Sequence, residues 1–172
     1  VKASLVRVLA LLALPSLAAL VACAGGDSVA CGQIEQILEP RASIHVIPGH
    51  EVEYRYRPPT SGPHYASDPD PGVREDPLPE ADQVAALELG KVVVQYSDDV
   101  PAAEAAGLGA AASGRTDVIV APAAGRIDGG RAVAFTAWGL RQRCTGASVG
   151  AALEFVESTE EMRRGLRDQS GP

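Results

Sequence analysis

Seven of the chain's 13 prolines fall between Pro58 and Pro79, together with Gly62, Gly72 and the Asp68-Pro69-Asp70-Pro71 repeat. Proline fixes φ and removes a backbone donor, so this stretch cannot be a helix or the interior of a sheet. It divides the chain into two unlike halves and predicts a stiff, extended segment of more than twenty residues lying across the domain.

Before the divide, residues 33–38 form a short amphipathic piece stopped by Pro40, and residues 43–47 are briefly apolar. Pro48-Gly49 reads as a turn. Residues 51–56 alternate charged residues with Val and Tyr, the period of a half-buried strand. After the divide the pattern is more regular. Residues 80–89 read as a helix closed by Gly90, with Val84 and Leu87 as an apolar pair. Residues 91–96, 117–121 and 131–138 read as strands. A helix follows Pro101, with Asp98 and Asp99 as acceptors for its first N–H groups. Ser148 is placed to cap a last helix with Ala152, Phe155, Val156 and Thr159 on one face. The polar end from Glu160 onward reads as fraying. The expected fold is α+β, a small mixed β-sheet with packed helices and a long Pro-rich loop.

The first 23 residues carry an address rather than a fold. Lys2 and Arg7 precede an apolar run from Val8 to Leu20, ending in Leu20-Val21-Ala22-Cys23, the pattern of a secretory signal peptide. That ending resembles the lipobox of bacterial lipoproteins, in which the cysteine is acylated and becomes the first mature residue. The domains expected are a signal peptide over 1–22, a lipidated tether over 23–41, a globular domain over 42–160 and a polar tail over 161–172. The expected location is the bacterial cell envelope, with the protein attached to the membrane by N-terminal lipid and facing the extracytoplasmic side.

Charge agrees with that attachment. Two of the 15 basic residues and none of the 22 acidic ones precede Cys23, so 13 basic against 22 acidic residues remain, a formal charge of −9. Such a surface repels nucleic acid and anionic headgroups, which leaves lipid, an envelope protein or a small ligand as partner classes. With Cys23 lipidated, Cys31 and Cys144 remain as an even pair in an oxidising compartment. They read as a disulfide, with two separate thiols as the alternative. No Cys-x-x-Cys pair is present for thioredoxin-type exchange.

All three histidines, His45, His50 and His64, fall within twenty residues. Imidazoles are common ligands for Zn and Cu, and Glu88 or Asp68 could complete a set, although the spacings match no compact metal motif. His45, His64 and Glu88 are the candidate metal ligands. Ser61 is not in a Gly-x-Ser-x-Gly elbow, and hydroxyl-to-backbone bonds in the turn are the plainer role for it. Gly107-Leu108-Gly109 ends a helix instead of opening one, so it fails as a dinucleotide fingerprint. Tyr54, Ser61, His64, Tyr65 and Trp138 form the candidate ligand surface.

The strings His45-Val46-Ile47-Pro48-Gly49, Tyr54 and Pro58-Pro59-Thr60-Ser61-Gly62-Pro63-His64 resemble the bacterial family catalogued as domain of unknown function 3105. So do Leu87-Glu88-x-Gly90-x-Val92-Val93-Val94, Val120-Ala121-Pro122 and Thr136-Ala137-Trp138-Gly139. The resemblance covers residues 42–160 and implies an extracytoplasmic or membrane-attached setting without an assigned catalytic activity. Typical members resemble Val-His-x-Leu-Glu-His-Gly where this chain has Ala85 and Leu89 at the histidine positions. Neither residue can bind an ion, so any site shared with the family is reduced here, and an enclosed Leu89 would add apolar burial instead. Two readings follow. The first is a lipid-anchored binding or structural domain without catalysis. The second is a metal-binding protein or metal-dependent enzyme using His45, His64 and Glu88, with His50 as an addition.

Overall fold

A computed structural model describes residues 28–170, and the side chains of all of these except 167–170. The signal segment and Cys23 lie outside the described residues. The strands are β1 (Glu35–Gln36), β2 (His45–Val46), β3 (His64–Tyr65), β4 (Gly72–Val73), β5 (Val92–Tyr96), β6 (Val118–Pro122), β7 (Val133–Ala137) and β8 (Leu140–Cys144). The helices are α1 (Glu80–Glu88), α2 (Ala102–Leu108), α3 (Val149–Ser158) and α4 (Glu160–Ser170). Six strands form a sheet in the order β1-β8-β7-β5-β6-β4, and β2 pairs with β3 in a separate ladder. The large sheet is mixed, as β5 runs parallel to β6 and antiparallel to β7. The α+β expectation holds.

The centre of the sheet follows from β-branched runs. Val92, Val93 and Val94 pair in register with Val118, Ile119 and Val120, and all six are buried. Side chains alternate along a strand, so a strand with no exposed position must be covered on both faces. Strand β7 shows how. Phe135 meets Phe155 of α3 with ring centroids 5.8 Å apart. The next residue, Thr136, receives a hydrogen bond from Gln83 of α1 at 3.3 Å. Helices α1 and α3 therefore cover opposite faces.

Caps and turns mostly follow the sequence. Ser148 Oγ accepts from the Ala151 N–H at 3.2 Å, and Gly90 ends α1 with φ of 91°. The α2 start differs: Pro101 is its N-cap and makes no side-chain cap bond, so Asp98 and Asp99 do not serve there. Residues 51–56 form no strand, because Tyr54 is drawn inward to donate its hydroxyl to the Pro63 carbonyl. Its ring lies 3.1 Å from where a Cβ on Gly62 would stand, so the turn at Gly62 requires glycine for space as well as for its φ of 119°.

The segment from Glu160 is helical rather than frayed. Arg163 of α4 donates to the Gly90 carbonyl at 2.7 Å and to the Val156 carbonyl at 3.3 Å, and Leu166 is buried. Strand β8 was hidden in the sequence by its charges. Arg141 is buried there, donating to Glu35 at 3.1 Å and to Asp128 and the Arg57 carbonyl at 3.2 Å each. The Cys31–Cys144 disulfide is formed and fastens the chain ahead of β1 to the end of β8.

No helix among the described residues is long and apolar enough to cross a membrane.

Candidate metal centre

The Pro-rich divide builds this site. Its first residues are buried, and their polar groups hold the N-terminal third of the domain in place. Thr60 Oγ1 donates to the Ile37 carbonyl at 2.6 Å, and Ser61 Oγ accepts from the Glu39 N–H at 2.8 Å. The Gly62 N–H donates to Ala42, and the His64 N–H to Ile44. The Thr60 carbonyl accepts from the Gly139 N–H at the β7–β8 turn. Residues 60–64 thus clamp residues 37–44 to the sheet.

That clamp sets β2 beside β3 in parallel register, with His45 directly opposite His64. Partners in a ladder share a face, so the two imidazoles lie together, centroids 4.9 Å apart and edge to face. Glu88, in the last turn of α1, reaches the same point. Its Oε2 lies 2.8 Å from His64 Nε2 and 3.2 Å from His45 Nε2. One ligand atom from each of the three residues falls within 4.8 Å of the others. These are the three residues that the sequence nominates.

The ring of His64 is completely buried, edge-on to Trp138 at 6.0 Å, and its Nδ1 donates to the Gly62 carbonyl at 2.8 Å. A carbonyl only accepts, so Nδ1 carries a hydrogen. Nε2 then donates to Glu88 only when the ring holds both protons; in the neutral ring it presents a lone pair. A histidine whose far nitrogen is tied to a backbone carbonyl is oriented as metal ligands are. The His45 side chain, by contrast, is 56% exposed and leaves one side of the cluster open.

Burial pushes the Glu88 carboxyl up. The hydrogen bonds from His64 and His45, the charge of His64 and a hydrogen bond with Ser43 outweigh it and hold the group below its ordinary value. It is therefore an anion at neutral pH. The set fits a divalent ion: tetrahedral coordination with bonds of about 2.0–2.1 Å places ligand atoms roughly 3.3–3.5 Å apart. Bringing this cluster onto an ion requires only small adjustments.

Other candidates resolve differently. His50 is exposed and outside the cluster, and Asp68 is paired with Lys91. Trp138 and Ser61 are fully buried and Tyr54 nearly so, and hence the proposed ligand surface is largely interior. Tyr65 is partly buried and donates to the His50 carbonyl at 3.2 Å. Leu89 is 55% exposed and so does not supply the apolar burial that enclosure would bring, while Ala85 packs inside. Sequence reasoning did not find the ladder register that pairs His45 with His64. A two-residue ladder leaves no period in the sequence that could have signalled it.

A small mixed-sheet domain with a two-histidine, one-carboxylate cluster is the class that fold and site define. The chain belongs to the family described as protein of unknown function (DUF3105), whose model matches residues 45–170. No curated protein and no solved structure matches it.

Proposed function

We propose that this protein is a lipid-anchored, extracytoplasmic domain that binds a divalent transition metal through His45, His64 and Glu88. The reading rests on one observation: ligand atoms from β2, β3 and α1 lie within 4.8 Å of one another. The buried, backbone-tethered His64 supplies rigidity, and the anionic Glu88 supplies charge. Two imidazoles and a carboxylate suit Zn²⁺ or Cu²⁺, and Cu²⁺ is favoured by intrinsic affinity. Three protein ligands with an open side leave a coordination position for a small exogenous ligand.

Serine chemistry is not part of this reading. Ser61, the nearest sequence candidate for a nucleophile, spends its hydroxyl on the Glu39 N–H and is closed to solvent. The anchor follows from the basic head, apolar middle and Leu20-Val21-Ala22-Cys23 ending of the signal segment. Calorimetric titration of the mature protein with Zn²⁺ and Cu²⁺ tests the reading. One site per chain with Kd below about 10 μM, absent in His64→Ala, is the expected result. No site tighter than that in the wild type overturns it.

A further inference from the structure

A cavity of about 570 Å³ adjoins β2 on the face away from the metal cluster. Ile44 and Val46 line it, while His45 between them meets Glu88, as alternation along an extended chain requires. That volume suits a small organic molecule and is many times what one water fills. The rest of the lining comes mainly from residues 39–41 and 50–54, on either side of the Pro48-Gly49 turn. The proline-rich clamp holds both stretches. The Glu39 N–H donates to Ser61 Oγ, the Gly62 N–H to the Ala42 carbonyl, and the Tyr54 hydroxyl to the Pro63 carbonyl. The cavity is therefore built before any ligand arrives.

Its lining has an apolar part and a charged part. Ile44, Val46, Val52 and the buried Tyr54 supply apolar surface. Glu39, Arg41, Glu51 and Glu53 supply charge, and none of the four makes an ion pair among the described residues. Glu39 Oε1 is buried with no hydrogen-bond partner. Arg41 is the one described residue other than glycine with a positive φ, 62°. A side chain holds that conformation at a cost, so the surrounding structure rather than local preference places Arg41 at the cavity. His50 lines it too, and above the ordinary imidazole range the lining carries three negative charges and one positive.

We propose that this cavity binds a free dibasic amino acid, with lysine as the simplest example. The ligand's charges mirror the lining: two cations for the carboxylates and one carboxylate for Arg41. Glu39 and Arg41, two positions apart, take the α-ammonium and the α-carboxylate. Glu51 and Glu53 take the side-chain ammonium. The methylenes between lie on Ile44, Val46, Val52 and Tyr54, where their burial adds affinity. A ligand of roughly ten non-hydrogen atoms supports a Kd of about 0.01–1 mM.

Calorimetric titration of the purified full chain with L-lysine at pH 8, with chelator present, tests the proposal. One saturable site per chain is expected. Cadaverine lacks the carboxylate, and Nα-acetyl-lysine stands for a lysine at a peptide's C-terminus. Each should bind at least about tenfold more weakly than lysine, the scale of one charged hydrogen-bonded contact. Arg41→Gly, which removes the backbone strain together with the charge, should weaken lysine at least about tenfold and leave cadaverine unchanged. Glu53→Gln should weaken both, and since Arg41 and Glu53 are exposed, neither change disturbs the core. No saturable lysine binding up to about 20 mM, or binding indifferent to Arg41→Gly, overturns the proposal. Cadaverine binding as tightly as lysine overturns it too, leaving an acidic groove without carboxylate recognition. Equal binding of Nα-acetyl-lysine overturns the free amino acid as ligand. His64→Ala should leave lysine binding unchanged, so this site and the metal reading stand or fall separately.

Discussion

Nε2 of His64 stands 2.8 Å from Oε2 of Glu88, while Nδ1 of the same ring donates to the Gly62 carbonyl. The backbone bond fixes the ring, so the nitrogen facing Glu88 is held on target whether it carries a proton or meets an ion. A proton and a metal are thus competitors for one position.

That competition predicts the direction of the metal's pH dependence. Ligand imidazoles must be neutral, so affinity falls on acidification. Calorimetry at pH 7.5 and 5.5 should show Kd for Zn²⁺ weaker by at least about tenfold at the lower pH. His64→Ala should cost about 100-fold or more at pH 7.5, since it removes the rigid ligand itself. A Kd that is flat across this range would argue for ligands other than histidine.

Glu88 predicts a separate effect on the metal-free fold. Its folded carboxyl titrates below its ordinary value of 4.5. A depressed carboxyl contributes stability above the unfolded value, and that contribution is lost as pH falls through the folded value. Glu88→Gln should therefore lower stability near pH 6 by about 1–2 kcal/mol. The gap should close as pH drops below 4.5 toward acid unfolding. Urea titrations of both proteins with chelator present, at pH 6 and at pH 3.5, check it; a gap that is constant with pH would assign the loss to packing.

The disulfide closes a separation of 113 residues. Constraining the unfolded chain over such a loop is worth about 4–5 kcal/mol on the chain-entropy account. Changing both Cys31 and Cys144 to Ser should lower unfolding free energy by an amount of that order. Non-reducing peptide mapping should find the Cys31 and Cys144 peptides joined. Free alkylation of both without reductant would refute the bridge.

The anchor makes its own prediction. Export should remove residues 1–22 and leave an acylated Cys23 in the membrane fraction, detected as a lipid increment by intact-protein mass spectrometry. Cys23→Ser should abolish that increment. A mature chain beginning elsewhere, or beginning at an unmodified Cys23, would refute lipidation.

The sequence revealed most where a residue's local neighbours decide its state. Val92–Val94 and Val118–Val120 read as central strands and Ser148 as a cap, and the structure has them so, because propensity and burial agree there. It misled where long-range contacts override local pattern. Glu51 to Tyr56 alternates like a strand, yet Tyr54 finds its partner at Pro63, and this bond carries the segment away from any ladder. Arg141 is a charged residue that the sequence pattern does not single out, and it is buried because Glu35, Asp128 and the Arg57 carbonyl surround it. The candidate ligands were legible as residue types, since histidines are few and Glu88 closes a clear helix. Their convergence depends on a two-residue parallel ladder, too short to leave a period in the sequence.

The bridge between Cys31 and Cys144 also determines how the domain bears load. Cys31 precedes β1, so tension applied from the N-terminal side reaches the covalent bond before it reaches that strand's two pairings. From Cys31 the force passes through sulfur into β8, which is zipped to β7 along five residues of the main sheet. Strand β1 lies beyond the bridge along the chain and would be shielded from that tension. Cys31 stands eight positions after Cys23, a reach of about 28 Å at full extension. A domain moored by that cysteine would swing on a short leash.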